Sequence, residues 1–230
     1  MSSSTKQPRL PIHSVAHFSP TEAYLLLEVG NCTYRGLVKY TFLDLVARGF
    51  LQPAFGASRL PEVEYLGAPE STSKLERVYL DAFDDAHPSL PLTSLLKQVD
   101  KKAKNKKKLL QRFFVSHRDY EHLFTSGGFY RFFGIVELSN EGYRAQKNVR
   151  SALKALSDQW LSELAEKRPS AAESIKPSAA FLCLTEEWER LSQVESAQSD
   201  SFPLRETLLE LAKLERVFDE AFAIKHGMSD

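Results

Sequence analysis

Cysteine is scarce in this 230-residue chain: only Cys32 and Cys183 are present, far apart. Two isolated thiols provide neither a disulfide framework nor, by themselves, a zinc site. They read as free, half-buried thiols of a reducing compartment. Long apolar runs are also missing, since a bilayer span needs roughly 20 consecutive apolar residues and no run approaches that. The N-terminal MSSSTKQPRLP is polar and lacks the apolar centre of a secretion signal, so the cytoplasm is the expected location. Net charge is absent as well, because 30 basic and 30 acidic residues cancel. That excludes a surface attractive to nucleic acid or membrane as a whole, an affinity that follows excess positive charge. Finally, there is no nucleophile elbow, phosphate loop, dinucleotide fingerprint or zincin motif. The sequence gives no ground for an enzyme, a cofactor or a metal.

The candidate constellations that do occur are weak in chemistry. His13 and His17 are four apart, but Pro11 and the lack of a helical pattern argue against a shared metal. His117 and His122 are five apart, about 140° around a helix, and point away from each other. Ser116-His117-Arg118-Asp119 holds Ser, His and Asp as chain neighbours, whereas a triad must converge in space. Asp81, Asp84 and Asp85 beside His87 have no spaced glycine loop of the kind calcium needs. They read as a solvated helix end.

What the sequence does have is an ordinary globular composition, 43% hydrophobic and 26% charged, and length enough for one large or two small domains. The clearest stretch is Ser19–Leu51. Ser19 followed by Pro20 and Glu22 is a capping box with proline at the first helical position. Leu25, Leu26 and Leu27 follow, and Gly30-Asn31 provides a stop. A second helix is predicted from Thr33 to Arg48, with Leu37, Val38, Thr41, Phe42, Leu45 and Val46 on one face and Gly49 as its terminator. Two short extended runs, Phe50–Pro53 and Val63–Leu66, predict a hairpin, and Leu10–Val15 a third strand beside it.

A second unit begins at Ser73, which forms another capping box with Glu76. Leu75, Val78, Tyr79, Ala82 and Phe83 give the helical stripe, and the Asp84–Pro88 segment the stop. From Leu92 to Phe124 there is no glycine or proline. Two helices with a turn near Lys104–Lys106 are expected, the second ending at Gly127-Gly128; one long helix is the alternative. Phe129–Leu138 is aromatic and β-branched, hence strand-like. Helices are predicted over Asn140–Lys167, Ala179–Val194 and Pro203–Lys225, with linkers at 168–178 and 195–202. The broad stripe of the last helix, Leu208, Leu211, Ala212, Leu214, Val217, Phe218, Ala221, Phe222 and Ile224, is expected to pack on its own chain. A homodimer seam is the alternative.

The phrase TFLDLVARGFL, residues 41–51, resembles the helix-to-wing junction of winged-helix domains, as well as a module in uncharacterised bacterial proteins. It is also similar, more loosely, to the Golgi phosphoprotein family that binds phosphoinositides. LSNEGYRAQKNVRSALKAL, residues 138–156, resembles the wing-to-last-helix junction of bacterial winged-helix regulators. These resemblances imply a mainly α fold with short β-hairpins. It would comprise one or two winged-helix-like units, at 1–70 and 71–167, and a C-terminal helical extension at 168–230. The Golgi resemblance implies anionic-lipid binding, although none of that family's headgroup-binding residues is placed in this sequence.

One charge feature stands out. Lys101, Lys102, Lys104, Lys106, Lys107 and Lys108 put six lysines into eight positions, with Arg112 following. Lysines that neutralise phosphates release counterions, so the segment suits DNA, RNA or an anionic lipid headgroup. Arg131, among Phe129, Tyr130, Phe132 and Phe133, is a further anion candidate. Against this, such runs usually form solvated turns, and lysine lacks the fork by which arginine grips phosphate. The leading expectation is a non-enzymatic regulatory or protein-interaction module with an unknown protein partner. DNA binding and phosphoinositide binding through the lysine segment are the alternatives.

Overall fold

Two helices and the turn between them set the frame. The computed structural model describes residues 18–68, 73–84, 87–116, 118–125, 137–166, 179–188 and 203–227. For 112–116, 118–119, 163–166 and 203–205 it describes the backbone alone. Helix α1, Pro20–Leu27, starts on the expected capping box. Ser19 Oγ accepts the Glu22 N–H at 3.3 Å, and Glu22 Oε2 accepts the Ser19 N–H at 2.5 Å. Gly30 has φ +74°, the left-handed turn that reverses the chain. Helix α2, Tyr34–Ala47, is capped by Thr33, whose Oγ1 accepts the Gly36 N–H at 3.0 Å. Gly49, at φ +76°, swings the chain out of α2 into the sheet.

The predicted hairpin is β1, Leu51–Ala54, antiparallel to β2, Glu62–Tyr65, with Leu51 opposite Tyr65. A third strand, β3, Ser89–Pro91, lies on the other edge of β2 with Leu90 opposite Val63. Its sequence, flanked by Pro88 and ending in Pro91, gave no strand signal. Proline is tolerated there because an edge strand has one row of donors without a sheet partner. The third strand expected at Leu10–Val15 lies outside the described residues, as do His13, His17, Asp85, His117 and Arg131.

Helix α3, Lys74–Leu80, opens on the Ser73–Glu76 capping box. It closes at Asp81, before the expected stop at Asp84–Pro88. Helices α4, Leu92–Ala103, and α5, Lys106–Ser116, meet at the predicted turn. Helix α5 is shorter than expected, because a 3₁₀ segment at Arg118–Leu123 takes over before Gly127-Gly128, which are outside the described residues. Most of the expected strand Phe129–Leu138 is outside them too, although Leu138 pairs with Phe124 in an isolated bridge. Helix α6 covers Asn140–Glu166 and α8 covers Pro203–Lys225, close to expectation. Within the helix expected over Ala179–Val194, helical structure breaks after one turn, α7, Ala179–Leu182, and resumes at Trp188, beyond which the expected segment lies outside the described residues. The Thr185 hydroxyl donates to the Leu182 carbonyl at 2.7 Å, diverting that carbonyl from further helix. The molecule is thus mainly helical with a small three-stranded antiparallel sheet.

Helix α2 lies at the centre. It contacts α1, α3, α7 and α8, and its Phe42 ring is fully buried 6.0 Å from Tyr79 and 5.6 Å from Phe218. Most of the stripe of α8 is spent inside the chain, with Leu208, Leu211, Leu214, Val217, Phe218, Ala221 and Phe222 buried and the helix packed on α4 and α2, whereas Ala212 is half-buried and Ile224 exposed. Ion pairs fasten that contact. Arg35 meets Asp219 at 2.7 Å, and Lys39 meets Glu215 at 2.7 Å. At the far end Lys225 pairs with Asp100, which also accepts the Tyr34 hydroxyl at 2.6 Å.

Gly36 is the tightest point of the frame. A Cβ there would lie 2.2 Å from Tyr24 Oη, which accepts the Thr33 N–H at 2.9 Å. Gly36→Ala must therefore displace a buried tyrosine and disturb the α2 cap. Overpacking of this kind costs about 2 kcal/mol, so the melting temperature should drop by roughly 4–8 °C in a calorimetric scan.

Candidate functional site

The lysine segment folds into a corner. Asn105 caps α5, its Oδ1 accepting the Lys108 N–H at 3.0 Å. Between the helices Lys104 has φ 69° and ψ −54°, and the Asn105 N–H donates to the Ala103 carbonyl at 2.9 Å. That is a γ-turn of the strained hand. It is also the only non-glycine positive φ among the described residues. Such a conformation costs on the order of 1–3 kcal/mol for a residue with a Cβ.

The corner separates the six lysines. Lys101, Lys104 and Lys108 are exposed, whereas Lys102, Lys106 and Lys107 are half-buried. Lys102 Nζ donates to the Asp81 carbonyl. Lys106 turns toward Cys32: burial pushes that thiol above its ordinary value, and the ammonium beside it opposes the rise. The side chain of Arg112 lies outside the described residues. Lys97, overlooked in the sequence because it precedes the dense run, joins the exposed group one helical turn before Lys101. The four-residue spacing was the available signal.

The basic residues of α2 are not free to meet a ligand. Arg35 and Lys39 are held by α8. Arg48 bridges Asp44 at 3.0 Å and Glu76. The two cysteines are free and fully buried rather than half-buried. Burial pushes the Cys183 thiol well up. His87 Nδ1 lies 2.9 Å from Asp84 Oδ1 in an exposed turn. No group of three His, Cys, Asp or Glu among the described residues is arranged to hold a metal. No helix among them is long and apolar enough to cross a membrane.

The Arg48 cluster is a distinct polar centre. The two capping boxes face each other across Asp44, around a cavity of about 70 Å³. Glu22 comes from α1, Asp44 and Arg48 from α2 and its cap, and Glu76 from α3. Asp44 is 6% exposed. Burial raises its carboxyl to about 7; Arg48 opposes the rise, and Glu76 and Glu22 add to it.

A second surface feature is apolar. A groove of about 500 Å³ runs between the end of α2, β1 and α8, lined among others by Val46, Leu51, Phe55, Leu66, Leu211 and Leu214. Phe55 is 40% exposed and Leu66 51%. The Lys213 ammonium lies 3.6 Å from the Phe55 ring centroid on the groove rim. Comparison of the chain with protein families, curated proteins and solved structures finds no match.

The raised Asp44 carboxyl has a testable sign. The folded chain holds a proton that the unfolded chain releases near pH 4, so this stability is present below that pH and lost as pH rises through about 7. Asp44→Asn should flatten the loss between pH 5 and 8, seen in urea midpoints, and leave the variant the more stable protein at pH 8. Equal midpoint shifts at both pH values would contradict the assignment.

Proposed function

We propose that the chain is a non-enzymatic protein-interaction module, built around a winged-helix-like arrangement of α1, α2 and the β1–β2 hairpin. Its recognition surface is the apolar groove beside β1. The observation that carries this reading is the pair of exposed apolar side chains, Phe55 and Leu66, on the rim of a groove otherwise floored by buried leucines. A half-exposed aromatic beside an apolar slot is the usual anchor point for a protein partner.

The sheet edge narrows the binding mode. Among the described residues strand β1 pairs only with β2, and its outer row meets no other described strand. The Leu66 N–H donates to the Phe50 carbonyl at 3.0 Å, which makes Phe50–Leu66 a hydrogen-bonded pair. By antiparallel alternation Gln52 and Ala54 also bond inward, while Leu51 and Pro53 turn outward. Pro53 has no N–H to offer there. A partner strand gains little from this edge, and the side chains of the groove supply the contact instead.

The test places a photoreactive benzoylphenylalanine at Phe55 and, as a control, at Tyr143, which is 59% exposed on α6. Irradiation of cells expressing each variant should give a discrete heavier adduct from position 55 alone. Phe55→Ala should weaken capture of that partner by about tenfold or more without lowering the melting temperature. The same adducts from both positions, or none from either, would refute the assignment.

A further inference from the structure

We infer that Lys97, Lys101, Lys104 and Lys108 form a docking row for the backbone of duplex DNA, bound without regard to sequence. The row shares no residue with the groove and stands independently of it. Residues 92–116 carry eight lysines and arginines against one carboxylate, Asp100. Asp100 is turned inward to Tyr34 and Lys225, so it does not neutralise the row. The buried face of α4 is Leu92, Leu95, Leu96, Val99 and Ala103. Lys97 and Lys101 lie on the opposite face, four residues apart; Lys104 sits at the corner that ends α4 and Lys108 in the first turn of α5, and all four are exposed. Four residues of helix advance about 6 Å. The charges are therefore spread along α4 and onto the corner where α5 begins, one exposed lysine at a time.

Charges spread over a helix and its end fit an extended polyanion better than a single headgroup, because each ammonium can meet a separate phosphate and release its counterion. Lysine supplies point charge without the bidentate fork that reads bases, so the contact positions the duplex and specifies no sequence. Single strands are bound largely by stacking bases on aromatic rings. The exposed face of α4 offers Ser94 and lysines but no ring, which favours the duplex with its denser charge.

The full chain should shift the fluorescence anisotropy of a labelled 25-base-pair duplex of mixed sequence at 50 mM KCl. The association constant should fall with salt at a log–log slope of about −3 to −4, as four neutralised phosphates require. The triple variant Lys97→Glu, Lys101→Glu, Lys104→Glu should bind at least tenfold more weakly and with a shallower slope. A charge-matched control on α6, Arg144→Glu, Lys147→Glu, Lys154→Glu, should bind close to wild type. Circular dichroism melts confirm that each variant folds, and Lys→Gln replacements at the same three positions serve if the glutamates do not. The inference is overturned if wild type does not bind the duplex, or if the row and control variants lose affinity equally. It is also overturned by stronger binding to a single strand of the same length, or by binding to phosphatidylserine vesicles without binding to DNA.

Discussion

The contact between Lys39 and Glu215, 2.7 Å apart, is the tie on which the arrangement depends. Trp188 Nε1 donates to the other oxygen of the same carboxylate at 2.5 Å. One glutamate thereby joins three parts of the chain that are far apart in sequence: the central helix, the turn after α7 and the last helix. The pair is only partly exposed, so its attraction is screened less than that of a surface pair, and leaving either partner alone would strand a charge at a packed seam. Beneath it, Phe42, Tyr79 and Phe218 provide the apolar contact that holds the helices in place whatever the salt concentration.

This tie also sorts the charges of the molecule. Positive groups on α2 are consumed by carboxylates of α8 and of the first turn of α3. The carboxylate of α4 is consumed by α8 in return. Neutrality of the whole chain therefore averages over unlike parts: a centre where opposite charges are matched at hydrogen-bond distance, a lysine face on α4 where they are not, and a surplus of carboxylates elsewhere in the sequence that balances it. A count of charges cannot distinguish the two, because pairing is a property of tertiary contact.

What could be read in the sequence follows the range of the interaction involved. Capping boxes at Ser19 and Ser73, the left-handed Gly30 and Gly49, and the break near Lys104 are all settled within four or five residues, and each was legible. The helices at Asn140 and Pro203 were legible because their apolar stripes persist over many turns. Strand β3 was not, because three residues between prolines acquire a strand conformation only by pairing with β2. Nor was the early end of α7, where the amide and the hydroxyl of Thr185 both take the Leu182 carbonyl despite a plausible apolar pattern. For the candidate surfaces the difference is sharper. The lysine run announced itself, yet half of its members are half-buried and the exposed Lys97 lies outside it. The groove gave no sequence signal, since Phe55 and Leu66 sit in a loop and at a strand end and meet Leu211 and Leu214 only after folding.

Pro53 has a bearing on colloidal behaviour. An apolar slot beside an open sheet margin is the arrangement from which fibrillar stacking can start, since each added chain would hand on the same unsaturated rim. Here the rim lacks an amide donor at its midpoint, and β1 ends one residue later. The sheet cannot be extended in register by a second copy without leaving a carbonyl unanswered. The apolar groove thus stays exposed while the route to templated growth along β1 is interrupted.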